Sequence, residues 1–384
     1  MFPTLNYLLE YLFNIHLNLP IQTFGLFVTF AFWAAYQVFV AELKRYEANG
    51  KIHAFQKEVI TGGHASFISL FLNFFIGFFA GFKLIGIITG FHNITSARSY
   101  LLSFQGSLPG GLCLGLILAL WFYVDQEKKV LPKPLTINYI VYPYQLMPGI
   151  VLWVGFFWVV GSKLFDLLEH LDYLNFDIIK TMFSSSGYTY YGGLIFGAAT
   201  FLYIGKKHGI KLINLADIGS PGMMLAYGIG RIGCQLAGDG DWGIVNIHPQ
   251  PGFLNWMPGW MWSFRFPHNF IGASLPIANC NGDFCNELIR GVYPTSFYEA
   301  FICIFLFLLM WSFRKSIVKP DLMFSIYLIL NGGERFGIEH IRVNQLYRLG
   351  GVLFYPGRNN RADDNCCWLY RADLSSFPTE NYFE

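Results

Sequence analysis

Eight stretches of this sequence are apolar over nearly the length that a helix needs to cross a lipid bilayer. They cover residues 21–40, 66–90, 110–124, 146–160, 192–204, 213–236, 295–313 and 322–338. A spanning helix requires about 20 mainly apolar residues. The sequence therefore predicts an all-α fold, a polytopic integral membrane helical bundle with about seven to eight spans.

The composition excludes most soluble classes of protein. Only 13% of the 384 residues are charged and 54% are hydrophobic, whereas a soluble domain has about 25% charged residues. The 26 Lys and Arg residues nearly balance the 24 Asp and Glu residues, giving a net charge of +2. This balance gives no electrostatic reason to expect a nucleic acid as partner.

The basic residues of the short loops predict the orientation of the bundle. They form four groups: Lys44, Arg45, Lys51 and Lys57; Lys128, Lys129 and Lys133; Lys206, Lys207 and Lys211; and Arg314, Lys315 and Lys319. These groups follow the first, third, fifth and seventh predicted spans, so one alternating path places all four in the cytoplasm. The N-terminus and the long loop 239–293 are then expected outside.

Ionisable residues interrupt the sixth and eighth apolar stretches, where they are costly and usually mark function. Arg231 lies near the end of the sixth stretch. Arg335, Glu339 and Arg342 are spaced i, i+4 and i+7, which on a helix places them on one face. Guanidinium groups pair bidentately with phosphate, so the positive surplus predicts a phosphate-bearing ligand such as a phospholipid headgroup. The alternative is that Glu339 only neutralises the two arginines and locks helices together.

Two further patterns in the sequence bear on cofactors, and a pair of cysteines bears on disulfide formation. The glycines of residues 228–233 match a dinucleotide fingerprint, but they follow no strand and are better explained by close helix packing. No His, Cys or Asp residues have metal-ligand spacing, so we expect neither a metal nor a cofactor. Cys280 and Cys285 would form a disulfide in an oxidising compartment, although their short separation leaves the pairing open.

Four segments in this order resemble the prolipoprotein diacylglyceryl transferase family. They are Tyr191-Gly192-Gly193-Leu194-Ile195; Gly230-Arg231-Ile232-Gly233 with Gly238-Asp239 and Trp242-Gly243; Pro294-Thr295-Ser296-Phe297-Tyr298-Glu299; and Arg335-x-x-x-Glu339-x-x-Arg342. Each motif by itself is weak evidence for the family, whereas four motifs in the family's order on one predicted membrane topology are a specific signature of it. The resemblance extends from about Phe24 to Gln345.

The resemblance implies an enzyme of the bacterial inner membrane with its active site toward the periplasm. Its reaction would transfer the diacylglyceryl group of phosphatidylglycerol to the lipobox cysteine of a prolipoprotein signal peptide, the first step of lipoprotein maturation. The catalytic residues would be Arg231, Arg335, Glu339, Asp239 and Tyr191. The residues that bind phosphatidylglycerol would be Arg231, Arg335, Arg342, Gly192, Gly193 and Gly243.

The sequence departs from the family pattern at three positions. Tyr191 replaces a histidine often proposed as a base, Phe24 replaces a tyrosine, and Cys234 replaces an asparagine. A tyrosine has an unperturbed pKa of about 10 and is a poor base unless arginines lower that value. Asp239, which stands where the family usually has glutamate, or Glu339 could take the thiol proton instead. Tyr191 could equally be an interfacial aromatic anchor.

The residues after 345 form an atypical polar tail, whereas the family continues with a final apolar helix. With permissible codons, reading residues 357–368 one base later gives Ala-Glu-Ile-Ile-Ala-Leu-Thr-Ile-Ile-Ala-Ala, an apolar run. We hypothesise a frameshift after about Phe354, in the gene or in its sequencing. Resequencing this stretch of DNA tests the hypothesis, and an undisturbed reading frame in close relatives would contradict it.

Two other functions remain open from the sequence. The altered positions Tyr191, Phe24 and Cys234 suit a catalytically silent relative that binds anionic lipid or lipoprotein precursors. A transporter whose charged residues line a pathway is the third hypothesis. Against it, the charges cluster toward the outer ends of helices, and no inverted repeat or broken helix pair is evident.

Overall fold

The fold is mainly helical. The structure is a computed structural model that describes residues 1–15, 21–89, 100, 105–132, 135–169, 189–280, 282–343, 347–349 and 352–354. The helices described are α1 (Leu5–Phe13), α2 (Thr23–Ala48), α3 (Phe67–Thr89), α4 (Leu108–Glu127), α5 (Met147–Glu169), α6 (Tyr190–Lys207), α7 (Leu212–Ala237), α8 (Thr295–Phe313) and α9 (Leu322–Glu339). Three antiparallel pairs of strands join β1 (Phe55–Thr61) to β2 (Leu135–Val141), β3 (Leu275–Pro276) to β4 (Asn286–Glu287), and β5 (Tyr347–Leu349) to β6 (Val352–Phe354).

Each of the eight predicted apolar stretches coincides with a helix, from α2 to α9. Five of the described segments are long and apolar enough to cross a membrane: α2, α3, α4, Pro143–Leu168 and α8. The chain is therefore mostly helical and fits an all-α membrane protein. Helix α1 was not predicted, and its nine residues are too few to cross a bilayer.

The chain divides into two compact units, which are described separately. The central unit comprises Val40–Leu212, and the terminal unit comprises Met1–Phe39 together with Ile213–Glu384. The residues of the predicted polar tail after Phe354 lie outside those that the structure describes, so the frameshift hypothesis stays a prediction.

Glycines bring the helices of the central unit together in pairs. A methyl group added to Gly81 of α3 would clash with the carbonyl oxygen of Gly110 on α4, and one added to Gly77 would lie 2.7 Å from the carbonyl oxygen of Leu114. Helices α5 and α6 likewise meet at Gly161 and Gly192. Small residues of this kind allow helix backbones to approach closely in membranes, where burial of apolar surface does not drive association.

An unpredicted β-ribbon joins two loops of the central unit. Strands β1 and β2 pair from Phe55 with Val141 to Thr61 with Leu135. These residues read as loops in the sequence because charged side chains, including Lys57 and Glu58, lie within them. The pairing places the segments that follow α2 and α4 side by side.

In the terminal unit, α7, α8 and α9 pack around a buried apolar cluster. Its members are Val38, Met224, Cys303, Phe307, Met310 and Met323. The carboxylate of Asp217 on α7 accepts backbone hydrogen bonds from Asp321 (2.8 Å) and Phe324 (2.9 Å) at the start of α9. This buried aspartate therefore supplies the N-terminal cap that fixes where α9 begins.

The chain between α7 and α8 folds over the end of the terminal unit where α7 finishes. Its small core contains Phe266, Ala273, Leu288 and Val292, and Cys280 and Cys285 are joined by a disulfide. The amide of Phe2 donates to the carbonyl oxygen of Leu236 at 2.8 Å. The N-terminal segment and this loop thus lie at the same end of the helices.

Candidate functional site

The charged residues of the terminal unit meet around one buried carboxylate, that of Glu299. Glu299 lies one turn into α8 and its side chain is fully buried. Its Oε2 atom is 2.9 Å from Nε of Arg231 on α7. Its Oε1 atom accepts from Arg335 Nη1 at 3.0 Å and from Arg342 Nη1 at 3.3 Å. Three arginines that are far apart in the sequence therefore converge on one side chain.

Tyr227 links the same groups through its hydroxyl. It lies one turn before Arg231 on α7, donates a hydrogen bond to Glu299 Oε1 at 3.0 Å, and accepts one from Arg335 at 3.1 Å. The guanidinium carbon of Arg231 also lies 5.2 Å from the centre of the Tyr227 ring, within the range of a cation–π contact. Tyr227 therefore fixes both arginines relative to Glu299.

A second carboxylate, Asp241, bridges two of the arginines. It forms an ion pair with Arg231, and its Oδ1 atom lies 2.6 Å from Arg342 Nη2. Burial alone would raise the pKa of Asp241, but Arg231 and Arg342 hold that pKa below its usual range. The carboxylate is therefore a stable anion that keeps the two guanidinium groups in place.

The start of α8 holds the backbone of Asp241. The hydroxyls of Thr295 and Ser296 donate to its carbonyl oxygen at 3.0 and 2.6 Å. Both hydroxyl residues are buried and lie one turn or less before Glu299. The segment 294–299, which resembles a family motif, thus positions both carboxylates of the cluster.

Gly243 allows the chain carrying Arg342 to approach. The two residues form an antiparallel bridge, and the amide of Ile244 donates to the carbonyl oxygen of Ile341 at 2.9 Å. A methyl group on Gly243 would clash with that carbonyl oxygen and lie 2.9 Å from Thr295. Gly243 therefore contributes to the site by its lack of a side chain.

Three guanidinium groups and two carboxylates define what we call the arginine cluster: Arg231, Arg335, Arg342, Glu299 and Asp241. Counting these five groups leaves one positive charge. Arg335 is the most exposed of the arginines, with 34% of its side chain accessible, against 11% for Arg231 and 17% for Arg342. The cluster can therefore offer a fixed, partly accessible positive site to an anion.

The predicted charged face of α9 needs correction. Helix α9 ends at Glu339, so Arg342 lies beyond the helix and is positioned by Gly243 instead. Within the described residues no ion pair joins Glu339 to Arg335 or Arg342. The alternative in which Glu339 neutralises these arginines is therefore wrong, because Glu299 and Asp241 do so.

The two aspartates that follow α7 have different surroundings. The motif predicts a catalytic role for Asp239, whereas Asp241 forms the ion pairs with the arginines. The Oδ1 atom of Asp239 accepts from the amide of Asp241 at 3.4 Å. Burial raises the pKa of Asp239 above its usual range, and the charge of Asp241 raises it further. Asp239 is thus a more basic carboxylate than its neighbour.

Three predicted residues belong to the central unit, at the start of α6. Tyr191 is exposed, whereas Gly192 and Gly193 are buried. A methyl group on Gly192 would clash with the carbonyl oxygen of Gly161, and one on Gly193 would lie 2.5 Å from Oγ of Ser162. The contacts described for these two glycines are therefore helix-packing contacts.

One set of atoms in the described residues has the spacing of metal ligands. Sγ of Cys234 and one carboxylate oxygen each from Asp239 and Asp241 lie within 4.8 Å of one another. However, Asp241 is already bonded to two guanidinium groups, whose charge would repel a cation. The chemistry of this donor set therefore suits an anion site better than a metal site.

Comparisons with known proteins identify the family of this chain. The family model described as prolipoprotein diacylglyceryl transferase matches residues 112–356, more than half of the chain. Three curated relatives are named phosphatidylglycerol–prolipoprotein diacylglyceryl transferase. The protein from Leptospira interrogans is 28% identical over 167 residues, covering 43% of this chain and 44% of the relative.

The other two relatives have similar identity over longer alignments. The Clostridium tetani protein is 27% identical over 187 residues, covering 48% of this chain and 63% of the relative. The Streptococcus pyogenes protein is 28% identical over 246 residues, covering 62% of this chain and 80% of the relative. The chain thus spans less than two thirds of the first two relatives. The family match confirms the resemblance seen in the motifs, and this chain belongs to the prolipoprotein diacylglyceryl transferase family.

Proposed function

We propose that this protein transfers the diacylglyceryl group of phosphatidylglycerol to the lipobox cysteine thiol of bacterial prolipoproteins. The cysteine sulfur forms a bond to the glycerol carbon, and the bond from that carbon to the phosphate oxygen breaks. Glycerol phosphate leaves with the bonding electron pair, and the thiol gives up its proton. The nucleophile belongs to the protein substrate, so no cysteine of this chain needs to react.

The observation that carries this proposal is the convergence of Arg231, Arg335 and Arg342 on Glu299. The surplus of one positive charge in the arginine cluster matches the single negative charge of a phosphodiester. In the transition state the phosphate oxygen gains further charge as the bond to carbon breaks. Preorganised guanidinium groups stabilise that charge because they need no reorganisation during the reaction.

Glu299 acts in this proposal as a positioning residue. Its carboxylate holds three guanidinium groups that would otherwise repel one another. Arg335 is the most accessible of them and would make the first contact with the lipid phosphate. Arg231 and Arg342, shared with Asp241, would complete the phosphate site.

Asp239 is the residue we propose to receive the thiol proton. Its pKa is raised, first by burial and then by Asp241, and a base is most effective when its pKa approaches the working pH. Glu339 and Tyr191 are the other candidates. Glu339 ends α9 four residues after Arg335, and Tyr191 occupies the position of the family's histidine.

We further propose that the protein spans the bacterial inner membrane with the arginine cluster toward the periplasm. The four basic loop groups support this orientation through the positive-inside rule. The disulfide between Cys280 and Cys285, in the loop at the cluster's end of the helices, also suits an oxidising compartment.

Complementation tests the proposal directly. The gene, carried both as given and with its frame corrected after Phe354, is expressed in cells depleted of their own transferase, beside an Arg231→Ala copy. We expect the protein with its arginine cluster intact to restore lipoprotein modification, and the Arg231→Ala variant to fail to restore it. Failure of a correctly inserted protein would instead support the silent relative, and lipid-independent solute flux would support a transporter.

A further inference from the structure

A second buried glutamate lies beside the arginine cluster and has no role in the proposal above. Glu334 precedes Arg335 on α9 and is only 7% exposed. Within the described residues, neither of its carboxylate oxygens has a hydrogen-bond partner. It shares the buried face of α9 with Met323 and Ile338, so it lies at the border between the apolar cluster and the charged one.

Glu334 differs from Glu299 and Asp241 because, among the described residues, no ion pair with an arginine is formed by its carboxylate. Both oxygens of Glu299 and of Asp241 lie within ion-pair distance of an arginine. A buried carboxylate is strongly disfavoured in its charged form when no donor compensates for the lost water. The surroundings of Glu334 therefore favour its neutral, protonated form over its charged form.

The charge of Glu334 nevertheless acts on the arginine cluster. Glu299, Arg335, Arg231 and Arg342 all interact electrostatically with it. Tyr227 on α7 and Cys303 on α8 also interact electrostatically with Glu334. Cys234, Asp239 and Asp241 interact in turn with Arg231. Interactions between charges are stronger here than at the surface because water is largely excluded.

We propose that Glu334 sets the net charge of the phosphate site and must carry a proton for one lipid phosphodiester to bind. With Glu334 neutral, the five groups of the arginine cluster keep their single positive charge, which the bound phosphodiester neutralises. With Glu334 ionised, that surplus is gone and the bound lipid would leave an uncompensated negative charge. This inference rests on the proposed function, since it assumes that the cluster binds lipid phosphate.

The sign of the pH dependence follows from the charge count. As the pH rises, Glu334 loses its proton, the site becomes more negative, and affinity for the anionic lipid falls. By linkage, lipid binding must favour proton uptake by Glu334 to the same extent. One coupled proton weakens binding by at most about tenfold per pH unit.

The test measures binding of phosphatidylglycerol to the purified protein at intervals from about pH 5.5 to 8.5, a range over which one coupled proton would change the affinity measurably. The variant Glu334→Gln keeps the size of the side chain but fixes it in a neutral form. We expect wild-type affinity to fall as the pH rises, and Glu334→Gln to bind as tightly at high pH as at low pH. A structural defect would weaken binding at every pH and would not produce this gain.

Two variants separate other sources of the pH effect. Glu287→Gln is the matched control, because it removes a glutamate that pairs with the partly exposed Arg265 at 3.7 Å, and we expect it to keep the wild-type slope. Asp239→Asn removes the neighbouring carboxyl whose pKa is also raised and therefore tests the competing source of the slope. If Asp239→Asn abolishes the slope and Glu334→Gln leaves it intact, the inference is overturned.

A measurement on the unaltered protein covers the case in which Glu334→Gln does not fold. Addition of phosphatidylglycerol in weak buffer should cause net uptake of protons at some pH between about 5.5 and 8.5, and the absence of uptake throughout this range would overturn the inference. The proposed function fails separately: if phosphatidylglycerol binding is absent or indifferent to Arg335→Ala, the phosphate site and this inference both fall. If binding requires Arg335 but its pH dependence is the same in Glu334→Gln as in the wild type, the inference about Glu334 fails and the proposed phosphate site stands.

Discussion

Buried cations occur in both units of the molecule, and they are compensated in different ways. In the central unit, Nζ of Lys83 donates to the carbonyl oxygens of Tyr100 at 2.7 Å and Gln105 at 2.9 Å. In the terminal unit, the arginines are compensated by the carboxylates of Glu299 and Asp241. The lysine is satisfied by neutral backbone carbonyl groups, whereas the arginines require opposite charge.

The difference separates a structural cation from a candidate binding site. Lys83 also lies 4.7 Å from the ring centre of Tyr100, whose hydroxyl donates to the carbonyl oxygen of Lys83 at 2.9 Å. These reciprocal contacts fasten Tyr100 to α3. The arginine cluster instead has more positive than negative groups and an arginine that is one third exposed. Burial of a charge in a membrane protein is thus a weaker signal of function than an accessible surplus of charge.

The largest effect is expected from Glu299→Gln. Removing this carboxylate leaves three guanidinium groups facing a neutral amide, and breaking a buried ion pair costs about 3–5 kcal/mol. Thermal unfolding in detergent should show this loss of stability. The control is Glu287→Gln, whose ion pair with Arg265 is exposed and should contribute less than about 1 kcal/mol. Equal effects of the two variants would contradict the organising role of Glu299.

A smaller effect is expected from Lys83→Met, which tests whether the buried cation of the central unit is only structural. The substitution keeps most of the apolar length but leaves two carbonyl oxygens without their donor, at a cost of about 1–3 kcal/mol. We expect reduced thermal stability with unchanged affinity for phosphatidylglycerol. A selective loss of lipid affinity, with stability preserved, would show that Lys83 is not merely structural.

The helices were predictable from the sequence because each apolar stretch is long and continuous. Helix α8 was predicted with the bounds that the structure has, Thr295–Phe313. The β-ribbon was not predictable in the same way, because its pairing joins residues about 80 positions apart and one of its strands carries charged residues. Local periodicity does not reveal a partner strand of that kind.

The arginines of the site were also predictable, whereas their partners were not. Charged residues inside apolar stretches identified Arg231 and Arg335, but the i, i+4 rule favoured Glu339 as the partner of Arg335. The observed partner, Glu299, is 36 residues away in the sequence. The motif around residues 294–299 contained this glutamate, and its place at the start of an apolar helix was the signal that could have identified it.

The smallest effect on stability is expected from Glu339→Gln, which tests the partner that helical spacing predicted. Glu339 is only partly buried and forms no ion pair with an arginine in the described residues. We therefore expect the free energy of unfolding to change by less than about 0.5 kcal/mol. Transfer kinetics then decide its remaining role. A fall in kcat with unchanged KM for the lipid would support Glu339 as a proton acceptor, because loss of a base slows only the chemical step. Full retention of kcat would leave the role of proton acceptor to Asp239 or Tyr191. A loss of stability as large as that of Glu299→Gln would instead show that Glu339 is a partner of the arginines.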